Sequence, residues 1–253
     1  MAAVTARAAP PLLETRGIVK TFGGLHAVAG VDFRLDRGEI RALIGPNGAG
    51  KTTLVGLISG RLAPTAGRVF LHGQDITSAP PWRRVALGIV YTFQVTSIFK
   101  ALTVGDNVAL AAQRRRMRGL LDRIVLRPAV VARDVEAALA RVGLAEARDR
   151  IAGALPYGHQ RVLEVAMALA LAPAVLILDE PTQGLAAAEI DTLSDLVRGI
   201  AGETTVLLIE HNMPVVLALA HRVTVMDRGR VIAEGTPREV EAHAEVQRAY
   251  LGR

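Results

Sequence analysis

The sequence predicts an α/β fold with a mainly parallel sheet, an antiparallel β subdomain and a helical insertion. Three textures along the chain predict it. From Leu12 to about Gln94, short β-type runs are punctuated by glycine. From about Val95 to Arg150 the chain turns helical and rich in Arg and Ala, and from Leu163 onward helices alternate with apolar strands. Strands alternating with helices pack as a parallel sheet covered by helices.

Taken in order, the runs Gly17–Phe22, Val31–Leu35, Ile40–Ile44, Arg68–His72 and Gly88–Phe93 read as strands. In the middle texture Val108 and Ala111, with Leu110 taken on the same face, then Val135, Ala138, Leu139 and Val142, follow the three- and four-residue spacing of amphipathic helices. Further on, the apolar strands Val175–Leu178 and Thr205–Ile209 alternate with helices. A strand pair, Arg222–Met226 and Arg230–Glu234, follows them. Residues 12–253 are then one domain with a helical subdomain at about 95–160. Residues 1–11 read as a loose leader without the continuous apolar stretch of a signal peptide.

Composition narrows the function classes. An apolar fraction of 51% excludes disorder, and the absence of cysteine excludes a disulfide scaffold, a thiolate metal site and cysteine catalysis. The mean hydropathy of +0.32 raises the question of a membrane span. The longest apolar stretch, Val162–Leu178, is interrupted by Glu164 and Pro173 and ends on Asp179–Glu180. It falls short of the roughly 20 apolar residues a bilayer crossing needs, so no segment is expected to span a membrane, and without a signal-peptide core the chain is expected in the cytoplasm. The net charge of +6 permits nucleic acid or an anionic membrane face as partner. Only Lys20, Lys51 and Lys100 are lysines, so the basicity is an arginine bias more than a designed patch.

The segment Gly45-Pro46-Asn47-Gly48-Ala49-Gly50-Lys51-Thr52 matches G-x-x-x-x-G-K-[ST], with an apolar strand before it and a helix, Thr52–Ser59, after it. Glycines let backbone N–H groups converge on phosphate oxygens, and the helix N-terminus adds positive potential. Lys51 places a point charge on the β/γ-phosphates, and the Thr52 hydroxyl ligates Mg²⁺. A second constellation, Val175-Leu176-Ile177-Leu178-Asp179-Glu180, is a buried strand ending in two carboxylates. Asp179 would emerge at the carboxyl end of the sheet and hold Mg²⁺, and Glu180 is placed to polarise the water that attacks the γ-phosphate. The chemistry is that of an Mg-nucleotide hydrolase with a P-loop core.

These residues resemble the ATP-binding subunits of ABC transporters, over essentially Leu12 to Gly252. The resemblance implies further roles. Phe22 would stack on adenine, with Val28 and Thr53 beside it in the nucleotide site. Gln94, closing Tyr91-Thr92-Phe93-Gln94, would sense Mg²⁺ and the γ-phosphate. His211, in Ile209-Glu210-His211-Asn212, would be the switch histidine at the γ-phosphate. ATP and Mg²⁺ are the expected ligands, with Lys51, Gln94, Glu180 and His211 carrying catalysis and Thr52, Gln94 and Asp179 the metal.

Two departures bear on the partner's ATP. Where the family carries Leu-Ser-Gly-Gly-Gln, this chain has Leu155-Pro156-Tyr157-Gly158-His159-Gln160. Pro156 brings neither hydroxyl nor N–H, so one donor to a γ-phosphate is lost, while Gly158 and the following helix N-terminus still offer donors. In Gly184-Leu185-Ala186 an alanine stands where the family usually has Asp or Asn. The resemblance makes the chain half of an ATPase, paired with a second ATP-binding subunit in an asymmetric heterodimer.

Phe22-Gly23-Gly24-Leu25-His26-Ala27-Val28, Tyr157-Gly158-His159-Gln160-Arg161 and Ala249-Tyr250-Leu251-Gly252 together look like the larger ATP-binding subunit of branched-chain amino-acid importers. The partners implied are membrane permease subunits and, indirectly, a solute-binding protein, with the chain peripheral on the cytoplasmic face of the membrane. Importers of urea or short amides and a lipopolysaccharide-type exporter have similar ATPases. A non-transport ABC ATPase acting on nucleic acid is the rival class. The run Arg114-Arg115-Arg116-Met117-Arg118, with Arg123 and Arg127, invites it, but no aromatic is interleaved for base stacking, so no nucleic acid is expected. The run reads as a solvated basic face or as a surface near anionic headgroups.

Overall fold

The structure, a computed structural model, describes residues 10–92, 97–117 and 128–251. Two sheets organise it. The first is antiparallel and holds β1 (Leu13–Phe22), β2 (Leu25–Leu35), β4 (Ala66–Leu71) and β5 (Gln74–Asp75), in the order β2-β1-β4-β5. The second runs β10-β9-β3-β8-β7-β6, from β10 (Arg230–Gly235) and β9 (Arg222–Asp227) through β3 (Ile40–Ile44), β8 (Thr205–Ile209) and β7 (Val175–Asp179) to β6 (Ile89–Thr92). All its pairings are parallel except β9 with β10.

Strands β3, β7 and β8 are buried at every residue, which is why they read as unbroken apolar runs rather than alternating ones. Their side chains still divide between two faces. Leu43, Val175, Ile177, Leu207 and Ile209 join α1 (Lys51–Ser59) and the antiparallel sheet in one core. Leu176, Leu178, Val206 and Leu208 pack instead against α5 (Tyr157–Ala170), α6 (Ala187–Ile200) and α7 (Met213–Leu219).

The helical insertion has its own core. Val104, Val108, Ala111 and Ala112 of α3 (Val104–Arg116) meet Val131, Val135, Ala138 and Leu139 of α4 (Pro128–Arg141) and Leu163, Ala166 and Ala170 of α5. Leu110 departs from the expected apolar face and is exposed. It lies two residues from Val108, about 200° around the helix, and Ala112 takes the inward position at i+4. The remaining helices are α2 (Pro81–Ala86), α8 (Pro237–Glu241) and α9 (Ala244–Leu251).

Strands β1 and β2 begin earlier than the sequence patterning suggests. The register of their pairing shifts between Thr15 and Ile18, at Gly17, which sits at φ 54°. Such a bulge breaks the alternation by which a half-buried strand is recognised. Among the described residues no helix is long and apolar enough to cross a membrane.

Parallel pairing brings the carboxyl ends of β3, β6, β7 and β8 to one edge of the sheet. There β3 enters the phosphate loop, β7 delivers Asp179 and Glu180, and β8 delivers Glu210 and His211. Open α/β sheets bind ligands along this edge.

Candidate functional site

The loop between β3 and α1 is built for close backbone approach. Gly45 stands at φ 150° and a Cβ there would lie 2.1 Å from the Met226 carbonyl oxygen. Gly50, at φ 100°, would place a Cβ 2.3 Å from the Ala27 carbonyl oxygen. Only glycine meets both the torsion and the contact. Gly50 is also the N-cap of α1 and offers no side-chain cap, so the first amides of the helix stay available to an anion. The loop is tied down from outside, because Gly229 N–H donates to the Ala49 carbonyl (2.9 Å).

Lys51 is buried, and its Nζ donates to the carbonyls of Gly45 (2.7 Å) and Pro46 (3.1 Å). Burial pushes its ammonium below the usual lysine range, against the attraction of Glu180 and then Asp179. A positive charge held inside a glycine loop suits phosphate oxygens, and the two carboxylates nearby suit a divalent cation. Thr52, in the same first turn, is exposed and lines the space above the loop.

A cavity of about 480 Å³ lies over the loop, lined by Asn47–Thr53, Glu180, Ile209, Leu25, His26, Ala27 and Arg228. The phosphate loop and Glu180, 129 positions apart counted from Lys51, thus share one space. Glu180 is half-buried in a left-handed conformation, φ 47°, and its N–H donates to the Ile209 carbonyl. Nδ1 of the exposed His211 stands 3.6 Å from Glu180 Oε1. Asp179 is buried and accepts a hydrogen bond from the Tyr91 hydroxyl.

Other expected positions lie apart from this space. Phe22 is 47% exposed at the end of β1, paired with Leu25 of β2, with Lys20 Nζ 5.1 Å above its ring. Leu25 lines the cavity, so the exposed ring beside it leaves room for a planar ligand. Val28 is fully buried in the core beneath the loop, so its side chain does not face the cavity. Gln94 lies outside the described residues, as do Arg118, Arg123 and Arg127. Within the basic run, Arg116 forms a bidentate pair with Asp134 of α4 (2.9 Å for both contacts), and Arg115 stands 3.9 Å from the same carboxylate. Those two arginines serve the helical subdomain's own packing.

Leu155–Gln160 does not line the cavity. Leu155 is buried, Pro156 is the N-cap of α5 and Gln160 N–H donates to its carbonyl (3.0 Å). Gly158 is pressed against α6, where a Cβ would meet Glu189 Oε1 at 2.3 Å, and His159 is exposed. The exposed Tyr157 ring lies against Gly184, whose added Cβ would stand 3.3 Å from Tyr157 Cε1. The two departures from the family pattern, at Pro156–Tyr157 and at Ala186, are therefore neighbours in space.

Sequence reasoning missed Leu25–Ala27 and Arg228, which reach the cavity only through the hairpins β1–β2 and β9–β10. It also missed Tyr91 and Glu210. Apart from Arg228 they sit inside segments quoted above, but their residue types carry no role there, and only the topology assigns them one.

Comparison with known proteins gives a consistent picture. The ABC transporter family profile matches residues 28–183, and that of the branched-chain amino acid ATP-binding cassette transporters matches residues 230–253. The chain is 38% identical over 250 residues to the high-affinity branched-chain amino acid transport ATP-binding protein BraF of Pseudomonas aeruginosa, covering 96% of this chain and 98% of that one. It is equally similar, over the same shares, to LivG of Escherichia coli K12, which bears the same description. Among solved structures, an ATP-binding cassette of an ABC transporter in its ADP conformation superposes with a TM-score of 0.84 at 30% identity, covering 96% of this chain and 99% of its own.

Proposed function

The chain belongs to the ABC transporter family as one of its ATP-binding cassettes, and from that premise we propose that it hydrolyses ATP to power import of branched-chain or related amino acids through separate membrane permeases. The observation that carries the chemistry is the single cavity shared by the phosphate loop and Glu180. The solute class rests on the likeness to the branched-chain amino-acid proteins over nearly the whole chain.

In this reading the loop amides and the N-terminus of α1 receive the phosphates, and Lys51 exchanges its two carbonyl partners for phosphate oxygens. Phe22 and the β2 residues Leu25–Ala27 hold the base end. Glu180 orients the attacking water and accepts its proton, and His211, beside it, steadies the γ-phosphate. Asp179 and the Thr52 hydroxyl are hard oxygen donors, matching Mg²⁺, with Gln94 as the third expected ligand. Mg²⁺, when bound, neutralises phosphate charge.

The partners in this reading are a second ATP-binding subunit, permease subunits and, indirectly, a solute-binding protein, with the chain on the cytoplasmic face of the membrane. Pro156 and Tyr157 would face the second subunit's ATP with one donor fewer than the family pattern, which makes the two sites unequal.

Co-purification from membranes tests the proposal. It predicts two permeases, a second cassette and a solute-binding protein that binds leucine, isoleucine or valine. A binding protein selective for urea or short amides would reassign the solute, and capture of nucleic acid without permeases would overturn the transport reading.

A further inference from the structure

Glu210 lies directly between the strand β8 and His211, and its side chain is 1% exposed. Its carboxylate takes four hydrogen bonds from two segments of chain. Oε1 accepts from the Thr182 N–H (3.1 Å) and the Thr182 hydroxyl (2.5 Å). Oε2 accepts from the N–H groups of His211 (3.1 Å) and Asn212 (3.2 Å). One oxygen therefore holds the turn that follows Glu180, and the other holds the turn that carries His211.

We propose that Glu210 is the positioning residue that sets the spacing between Glu180 and His211. The inference rests on the hydrolytic reading of those two residues and adds the means by which they are held together. Parallel pairing of β7 with β8 ends at Asp179 opposite Ile209, followed by the Glu180 N–H bond to the Ile209 carbonyl. Past that bond no strand pairing fixes the two turns. Glu180 also adopts φ 47°, a conformation that a non-glycine residue keeps only where its surroundings over-determine it. The Glu210 carboxylate supplies that determination on both sides of the 3.6 Å contact between Glu180 and His211.

The arrangement requires an acceptor at both oxygens. Glutamine at this position keeps the size but turns an NH₂ toward two donors, so one of the two turns loses its anchor. Thr182→Val keeps the shape and removes a single donor. Neither change reaches the phosphate loop, so nucleotide affinity and turnover should separate.

The test compares ATP turnover and ATP affinity in the full-length chain, co-purified with its membrane subunits, for wild type, Glu210→Gln and Thr182→Val, each with and without His211→Ala. Glu210→Gln should lower kcat about tenfold or more with ATP affinity within about twofold, and Thr182→Val should lower kcat by about threefold. In the His211→Ala background each change should cost far less, because the geometry it maintains has lost one member. Should Glu210→Gln fail to fold, Thr182→Val and its non-additivity with His211→Ala decide the matter. An unchanged kcat, a parallel loss of affinity and kcat, or full additivity with His211→Ala would overturn the inference. A wild-type complex without ATP turnover would overturn the hydrolytic reading and this inference with it.

Discussion

The Tyr91 hydroxyl donates a hydrogen bond to Asp179 Oδ2, while the Arg61 guanidinium stacks on the same ring, 3.9 Å from its centroid. Burial first, and then the bond to Asp179, hold the phenol above its usual range, so its proton stays in place at physiological pH. One carboxylate oxygen of Asp179 is thus fixed from β6. Tyr91→Phe should raise the Mg²⁺ concentration for half-maximal turnover by about tenfold, as loss of an outer partner of a metal ligand does. A Mg²⁺ titration of ATPase activity, with thermal melting as the folding control, checks it.

Gly50→Ala tests the loop's dependence on close backbone approach. The added Cβ would meet the Ala27 carbonyl oxygen at 2.3 Å, at φ 100°. Backbone cannot yield as a flexible side chain does. The variant should lose more than about 2 kcal/mol of stability and its ATP binding with it. Urea unfolding and nucleotide titration read the two effects.

Arg41 is a buried cation at the second position of β3, paired with Glu39 (2.8 Å) and Glu234 (2.5 Å) and reaching Thr224 (3.4 Å). Arg41→Leu would leave Glu39 buried without its partner. A loss of about 3 kcal/mol is expected. Arg41→Leu combined with Glu39→Leu should recover part of it, which equilibrium unfolding of the single and double variants measures.

The α3–α4 clamp should be pH-sensitive. The hydrogen bond from Arg116 holds the Asp134 carboxyl below its usual range, against a smaller effect of burial. A depressed folded-state value contributes stability above the unfolded value, about 3.9, and loses it as pH falls through the folded value. Arg116 is 39% exposed, so water screens the pair and its contribution is small. Asp134→Asn should lower stability slightly at pH 7, and its difference from wild type should vanish once the pH has fallen below the folded-state value. Melting curves across that range check the sign.

How much could be read beforehand follows from the kind of residue involved. Strands β3 and β8 were legible because strands buried on both faces form continuous apolar runs, and β7 runs only one residue further, through Asp179. The beginnings of β1 and β2 were not, because Gly17 interrupts the alternation of β1 and Gly30, at φ 73°, that of β2. Leu110 misleads because it is apolar and adjoins Ala111, yet the two-residue step from Val108 turns it outward. The buried stripe is Val104, Val108, Ala111 and Ala112. The phosphate loop and the Asp179–Glu180 pair are local in sequence and carry their chemistry in residue type. Tyr91, Arg41 and Glu210 act through partners 88, 193 and 28 positions away, and such partners exist only once the sheet is assembled.

Glu180→Gln gives the most direct measurement of the central claim. The substitution removes the carboxylate that faces the phosphate loop across the cavity while keeping the loop and the Glu180 backbone bonds. ATP binding by the variant complex should stay within about twofold of wild type while turnover falls by about a hundredfold or more. Turnover at the wild-type rate, or loss of ATP binding in step with turnover, would contradict the assignment of Glu180 and the hydrolytic account built on it.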